Sequence, residues 1–217
     1  GGARFYFTPG VPREMRRMLE EQIMPRLLAQ AGRAGVTRLK RFHSFGIGES
    51  RADQMLAGLE DMAPPGAVKL GFQAHYPQLE TKLAARAADA ATLDAMLAPI
   101  EAAVRRNLGN FIVAEDQGTL EGAVLGGLGA GSLAVVETLT SGGIAQRLLQ
   151  VPGAEQRFRR ALVLPAAAME GGDAIAQAAS LREHSGATHA LAVLVTLADG
   201  PDAGGLIEIG LVDPAGA

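Results

Sequence analysis

Residues 135–143 read VVETLTSGG, and this stretch decides the fold of the second half of the chain. An apolar strand that runs into a hydroxyl-rich turn and then a helix is a common way to hold a nucleophile or an anion at a helix N-terminus. The hydroxyls are those of Thr138, Thr140 and Ser141, and paired glycines close the turn, where they let a backbone approach a ligand. The ordinary alternative is a strand–helix turn in which a hydroxyl merely caps the helix.

Helices alternate with apolar strands on both sides of this stretch. Such alternation is typical of an α/β sheet that is covered on both faces, so residues 116–217 are predicted to form a three-layer α/β domain. Ligands of such sheets bind at the carboxyl ends of the strands. The predicted helices are 119–128, 143–149 and 173–184, and the predicted strands are 132–137, 161–164, 190–196 and 205–212.

Residues 36–115 have the pattern of a compact α+β module. The predicted order is a strand over 36–45, a helix that Ser50 or Asp53 caps and that reaches about Asp61, two strands in hairpin order, and a helix over 90–108. The hairpin strands are predicted at 68–72 and 79–85, and residues 115–118 are the predicted linker.

Residues 1–35 are predicted to be the strand–helix tail of a further domain. Residues 5–7 read FYF and predict a strand, and apolar residues at helical spacing predict a helix from Pro12 to about Ala29, despite Pro25. A lone strand and helix cannot bury a core of their own, so we expect this helix to pack on another part of the protein or on a partner.

Composition excludes several classes of function. The 217 residues carry 20 basic and 23 acidic side chains, for a net charge of −3, and only 4% are aromatic, which gives no electrostatic or stacking reason to expect nucleic acid. The longest uncharged run, residues 122–136, is shorter than the roughly 20 apolar residues that span a bilayer. The absence of cysteine excludes disulfides and zinc–thiolate sites and fits a cytoplasmic protein. We therefore expect no metal, no cofactor and no membrane partner.

Three blocks of sequence carry a family resemblance: residues 9–15 (PGVPREM), 45–50 (FGIGES), and 137–142 (ETLTSG) followed by 151–153 (VPG). Together they resemble the CinA family of competence/damage-inducible proteins. The resemblance implies the end of a molybdopterin-biosynthesis-like (MoaB/Mog-type) domain, a KH-type middle domain and a nicotinamide-nucleotide amidohydrolase domain, in that order. A KH module that binds nucleic acid needs a Gly-x-x-Gly loop, and residues 46–49 (GIGE) do not provide it, so the middle module is expected to be structural.

Enzymes similar to the last of these domains hydrolyse nicotinamide mononucleotide to nicotinate mononucleotide and ammonia. Their signature, Ala-Glu-Ser-x-Thr-Gly-Gly, supplies a serine nucleophile. Glu137, Thr140 and Gly142 match this signature, whereas Thr138 stands at the serine and Ser141 replaces the first glycine. A threonine needs an activating base, and its extra methyl group crowds the attack.

The second signature of the family, Tyr-Ser-Asn-x-x-Lys, is lost. Its tyrosine falls at Pro165 and its lysine near Glu170, so a hydroxyl is missing and a charge is inverted. A later turn, with Gly200, Pro201 and Asp202, does match the family and is expected to contact substrate together with Glu137, Thr140, Ser141 and Gly142.

The sequence therefore predicts a pseudoenzyme with a degenerate amidohydrolase domain that retains at most nucleotide binding or an assembly or regulatory role. The alternative is an active nicotinamide mononucleotide deamidase with Thr138 as its catalytic residue. The expected partners are a nucleotide similar to nicotinamide mononucleotide and, because domains of this kind often assemble about a two-fold axis, a second copy in a homodimer.

Overall fold

A computed structural model describes residues 4–31, 35–165, 173–198 and 204–216. The chain divides into two compact units, residues 1–112 and 113–217. Each unit contains one four-stranded sheet with helices, which confirms the predicted mixed class of α/β and α+β folds.

The first described residues form a helical segment without the predicted strand. Residues 4–9 have no regular secondary structure, and the side chains of Phe5 and Phe7 are exposed, because no strand among the described residues pairs with them. The helical segment consists of α1 (Pro12–Met18), a π-helical turn (Leu19–Ile23) and α2 (Met24–Ala31). The π-helical turn ends just before Pro25, which has no N–H to donate to a preceding carbonyl.

The sheet of the first unit has the strand order β2-β3-β1-β4, and β3 is antiparallel to both β1 and β2. The boundary between the two units falls after Ile112, the first residue of β4. Strand β4 is the edge strand of this sheet. The observed order of strand, helix, hairpin and helix is the predicted one. The elements are β1 (Val36–Phe45), α3 (Glu49–Met55), a 3-10 turn (Leu59–Met62), β2 (Val68–His75), β3 (Gln78–Ala87), α4 (Ala90–Leu108) and β4 (Ile112–Glu115).

Helix α4 covers one face of this sheet. Asp89 begins the helix by accepting a hydrogen bond from the Thr92 backbone N–H at 2.8 Å. Helix α3 was predicted to begin at a Ser50 or Asp53 cap and to reach about Asp61. Both ends were wrong, because its N-cap is Gly48 and it stops at Met55, ahead of Gly58, whose φ is 79°. The apolar side chains of α4 that enter the core recur at helical spacing and are Leu93, Leu97, Ile100, Val104 and Leu108.

The sheet of the second unit has the strand order β6-β5-β7-β8. Strand β5 runs parallel to β6 and β7, and β8 runs antiparallel to β7. The central position of β5 explains why all six of its residues are buried. The elements are α5 (Leu120–Gly127), β5 (Leu133–Thr138), α6 (Gly143–Leu149), a 3-10 turn (Ala154–Gln156), β6 (Phe158–Leu164), α7 (Ala174–Ser185), β7 (His189–Leu197) and β8 (Gly205–Val212).

Helices lie on both faces of this second sheet. Helix α7 packs on one face, where Ala178 and Leu181 meet the even-numbered side chains of β5 and β7. Helices α5 and α6 pack on the other face, where Leu125 and Leu148 meet Leu133 of β5. Side chains of β7 and β8 on this second face remain partly or largely exposed, so the third layer covers only part of the sheet.

Candidate functional site

The predicted site lies at the carboxyl end of β5, where the strand enters the turn before α6. Glu137 and Thr138 are completely buried there, although both are polar. Buried polar groups need hydrogen-bond partners, so the partners of these two side chains define what the site can do.

The Thr138 hydroxyl is bonded to the backbone of the neighbouring strand β7. Its Oγ1 accepts a hydrogen bond from the Val195 N–H at 2.7 Å and donates one to the Val195 carbonyl at 3.2 Å. The β5–β7 pairing ends at Glu137, opposite Val193, so the hydroxyl extends the strand pairing beyond its last residue. The Thr138 hydroxyl donates its hydrogen bond to a peptide carbonyl. Among the described residues, therefore, no general base accepts its proton.

The Glu137 carboxylate binds the first turn of α6. Its oxygens accept hydrogen bonds from the Ile144 N–H at 3.0 Å and the Ala145 N–H at 3.1 Å, and also from the Thr140 hydroxyl. These backbone groups have no partner within the helix, and a carboxylate also complements the positive end of the helix dipole. Glu137 thereby occupies the position at which an anionic ligand would bind.

The turn between β5 and α6 has an unusual backbone. Leu139 and Ser141 have positive φ angles of 58° and 54°, which cost energy for residues other than glycine. Gly142, with φ 84°, is the N-cap of α6, so neither Thr140 nor Ser141 caps the helix as an ordinary turn would predict. Ser141 is exposed, whereas Thr140 is half-buried and its hydroxyl donates to Glu137.

The second predicted block reaches the same edge of the sheet only in part. Thr138 lies opposite Leu164 in the β5–β6 pairing, and Pro165 follows at the end of β6. Proline there provides no hydroxyl toward Thr138. Glu170, Gly200, Pro201 and Asp202 lie outside the residues that the structure describes.

A cavity of about 400 Å³ lies beside the turn, between α5 and α6, and the sequence did not predict it. Its polar rim includes Thr140 and an ion pair in which the Arg147 Nε donates to Glu121 at 2.7 Å. Burial acts to raise the pKa of Glu121, but the bond from its own backbone N–H and the Arg147 guanidinium outweigh it and lower that pKa. The two residues are far apart in sequence, so no local pattern indicates the pair. The apolar lining includes Leu120, Val124, Leu133, Ile144, Leu148 and Leu191.

Two further properties concern the part of the chain that the structure describes. No cluster of three or more His, Asp or Glu side chains there has the geometry to hold a metal ion. No helix there has both the length and the apolar character needed to cross a membrane.

These features define a two-unit protein with an α+β sheet unit followed by an α/β unit. The damage-inducible protein CinA KH domain matches residues 39–114. A CinA-like protein of Frankia casuarinae is 34% identical to this chain, and the match covers 97% of this chain and 54% of that protein. A CinA-like protein of Geotalea daltonii is also 34% identical, with 94% of this chain and 53% of that protein covered. One from Myxococcus xanthus is 35% identical over 73% of this chain and is covered over 38%.

The chain belongs to the CinA family. It spans about half the length of the first two relatives named above.

Proposed function

We propose that the second unit of this CinA-family chain is a pseudoenzyme that does not hydrolyse nicotinamide nucleotides. It retains at most nucleotide binding or an assembly or regulatory role, in a cytoplasmic protein. The observation that carries this proposal is the position of the Thr138 hydroxyl, which is buried and bonded at both its donor and its acceptor side to Val195.

Chemistry makes this arrangement unsuited to nucleophilic attack. An alcohol attacks an amide only when a base removes its proton during the reaction, and a backbone carbonyl is not such a base. Exposing the Thr138 oxygen to a substrate would also remove the partner of the Val195 N–H. The proline at position 165 adds no assisting group.

The residues of the turn differ in their accessibility to a nucleotide. Thr140, Ser141 and Gly142 border the surface, and Thr140 also lines the cavity beside α6. Glu137 contributes by holding the turn, since its carboxylate is engaged with the backbone of α6. We include Gly200, Pro201 and Asp202 among the proposed ligand contacts on the strength of their match to the family.

One observation favours the alternative of an active deamidase that uses Thr138. Leu139 and Ser141 keep strained positive φ angles directly after Thr138, and strain of this kind often accompanies active sites. The alternative requires Thr138 to leave Val195 when substrate binds.

Ammonia release from nicotinamide mononucleotide separates the two functions. We expect the wild-type chain, Thr138→Ala and the control Ser180→Ala to release ammonia at the rate of buffer alone. Ser180 is the control because it carries an exposed hydroxyl on α7, outside the turn. Turnover by the wild type would overturn the proposal, and its loss in Thr138→Ala but not in Ser180→Ala would assign it to Thr138.

A further inference from the structure

A groove of about 220 Å³ runs between strand β6 and helix α7, on the face of the second sheet that α7 covers. Strand β6 is an edge strand of this sheet. The buried apolar cluster beneath α7 takes its residues from β5, β7 and β8, and β6 contributes only the partly buried Leu164. Helix α7 therefore leaves part of β6 uncovered beside it. We call this space the β6–α7 groove, and its apolar lining is Val136, Leu162, Leu164 and Leu181.

The pairing of the parallel strands places the two ends of the groove. Arg160 lies opposite Ala134 near the start of β5, and Leu164 lies opposite Thr138 at its carboxyl end. Helix α7 runs back from that carboxyl end, so His184 in its last turn lies near the start of the strands, as Arg160 does. Four residues at about 3.3 Å each put Arg160 about 13 Å along the strand from the level of Thr138. This end of the groove is therefore separate from the turn after β5.

Arg160 gives the groove a permanent positive charge. Its side chain is exposed, and no described residue forms a hydrogen bond or an ion pair with it. No Asp or Glu side chain is among the described residues that line the groove. An unpaired guanidinium can bind a carboxylate through two parallel hydrogen bonds. The charge at this end therefore favours an anionic group.

Helix α7 supplies a polar wall on the other side of the groove. Gln177 and His184 lie one above the other, two turns apart on the helix, and both line the groove. The His184 Nδ1 donates to the Ser180 carbonyl oxygen at 2.7 Å, because a carbonyl oxygen can only accept. This bond fixes the imidazole ring, so the wall opposite Arg160 has a defined shape.

The remaining lining suits the body of a small apolar molecule. Leu162 keeps 39% of its surface accessible, and a ligand that covers it gains the hydrophobic effect. The groove has the volume of about seven water molecules at about 30 Å³ each, which limits the body to a single ring or a short branched chain.

We propose that the β6–α7 groove binds a small carboxylate with an apolar body. The carboxylate pairs with Arg160, and the apolar body lies on Leu162 and Leu164. An uncharged molecule of the same shape gains nothing from Arg160, and a carboxylate without an apolar body gains nothing from the leucines. The site is distinct from the proposed nucleotide contacts in the turn after β5.

The first test is a titration of the full chain with cyclohexanecarboxylate, followed by the NMR signals of its leucine and valine methyl groups. We expect saturable binding with a Kd of about 1 mM or lower. Cyclohexanecarboxamide has nearly the same shape without the charge, and formate has the charge without the ring; each should bind at least about tenfold more weakly. Equal affinity for the acid and the amide, or no saturation of the shifts by about 20 mM acid, would overturn the proposal.

The same signals locate the ligand. Shifts are expected at Leu162 and Leu164. If they appeared instead at Val124 and Leu148, the acid would occupy the cavity between α5 and α6, and the proposal would be wrong.

The second test compares two neighbouring arginines of β6. Arg159 is exposed like Arg160 and has no partner among the described residues, but it does not line the groove. Neither substitution removes a contact of the described fold, so both variants should fold. Arg160→Gln is expected to weaken binding of the acid at least about tenfold, and Arg159→Gln less than about twofold. Equal weakening by both would show a general attraction of anions to this strand and would refute the site. Neither test measures ammonia or uses a nucleotide, so the groove stands or falls independently of the proposed function.

Discussion

Replacement of Thr138 by valine is the perturbation that most clearly separates a structural hydroxyl from a catalytic one. Valine keeps the shape of threonine and removes both hydrogen bonds to Val195. A buried polar group that is left without its hydrogen-bond partner lowers the free energy of unfolding by about 1–3 kcal/mol. The lower half of this range applies because Val195 is only half-buried. We therefore expect Thr138→Val to destabilise the second unit by about 1–2 kcal/mol.

Amide hydrogen exchange at Val195 measures this loss at the bond itself. In the wild type, the Val195 N–H donates to the Thr138 hydroxyl, so it is protected from exchange. Thr138→Val is expected to accelerate its exchange about five- to thirtyfold, since a loss of about 1–2 kcal/mol corresponds to such factors. Thr138→Ser keeps the hydroxyl and should retain most of the protection. Unchanged exchange at Val195 in Thr138→Val would refute the structural role of the hydroxyl.

Spectroscopy can assign the destabilisation to the correct unit. The chain has no tryptophan and two tyrosines, and both, Tyr6 and Tyr76, belong to the first unit. Urea unfolding followed by far-ultraviolet circular dichroism should therefore show the loss in Thr138→Val, while the tyrosine fluorescence transition should keep its midpoint. A shift of the fluorescence transition would mean that the two units do not unfold independently.

Three other predictions concern stability. Glu137→Ala removes the partner of two α6 backbone N–H groups and should destabilise the second unit by about 2–4 kcal/mol in urea unfolding; a loss below about 1 kcal/mol would contradict the role of Glu137 in holding the turn. Gly210→Ala places a methyl group against the Ala174 backbone and should cost about 1–3 kcal/mol, whereas an unchanged unfolding midpoint would show that α7 does not pack there. Hydrogen bonds from the backbone and side chain of Thr92 lower the pKa of Asp89. The stability that the Asp89 carboxylate contributes is thus present above its unfolded pKa and is lost as pH falls through its folded pKa. In acid unfolding, Asp89→Ala should therefore flatten the pH dependence of the first unit's stability below about pH 4. An unaltered profile would argue against the cap.

Much of the fold follows from local signals in the sequence. The helix over 90–108 carries an acidic N-cap and apolar residues at regular spacing, and the structure gives it the predicted bounds. Strand β8 likewise has its predicted bounds, 205–212. The strand predicted at residues 5–7 was wrong because a strand depends on a partner, and the composition of a tripeptide cannot reveal one.

The turn after β5 shows where such signals end. The pattern placed Thr138 in the turn directly after a strand over 132–137, whereas the structure makes it the last residue of β5, which leads to α6. Its partner Val195 lies 57 residues further along the chain, so only the pairing of β5 with β7 brings the two together. The capping of α6 by Glu137, from the strand before the turn, is likewise a product of tertiary structure, because a capping residue is normally sought within the turn itself.

The most direct test of the central claim, that the Thr138 position holds a structural hydroxyl, is ammonia release from nicotinamide mononucleotide by Thr138→Ser. This substitution restores the nucleophile of the family signature and keeps the oxygen that bonds Val195. If the hydroxyl is held by Val195 without a base, release stays at the rate of buffer alone. Turnover gained with serine would show that a competent catalytic set surrounds position 138, and it would contradict this account.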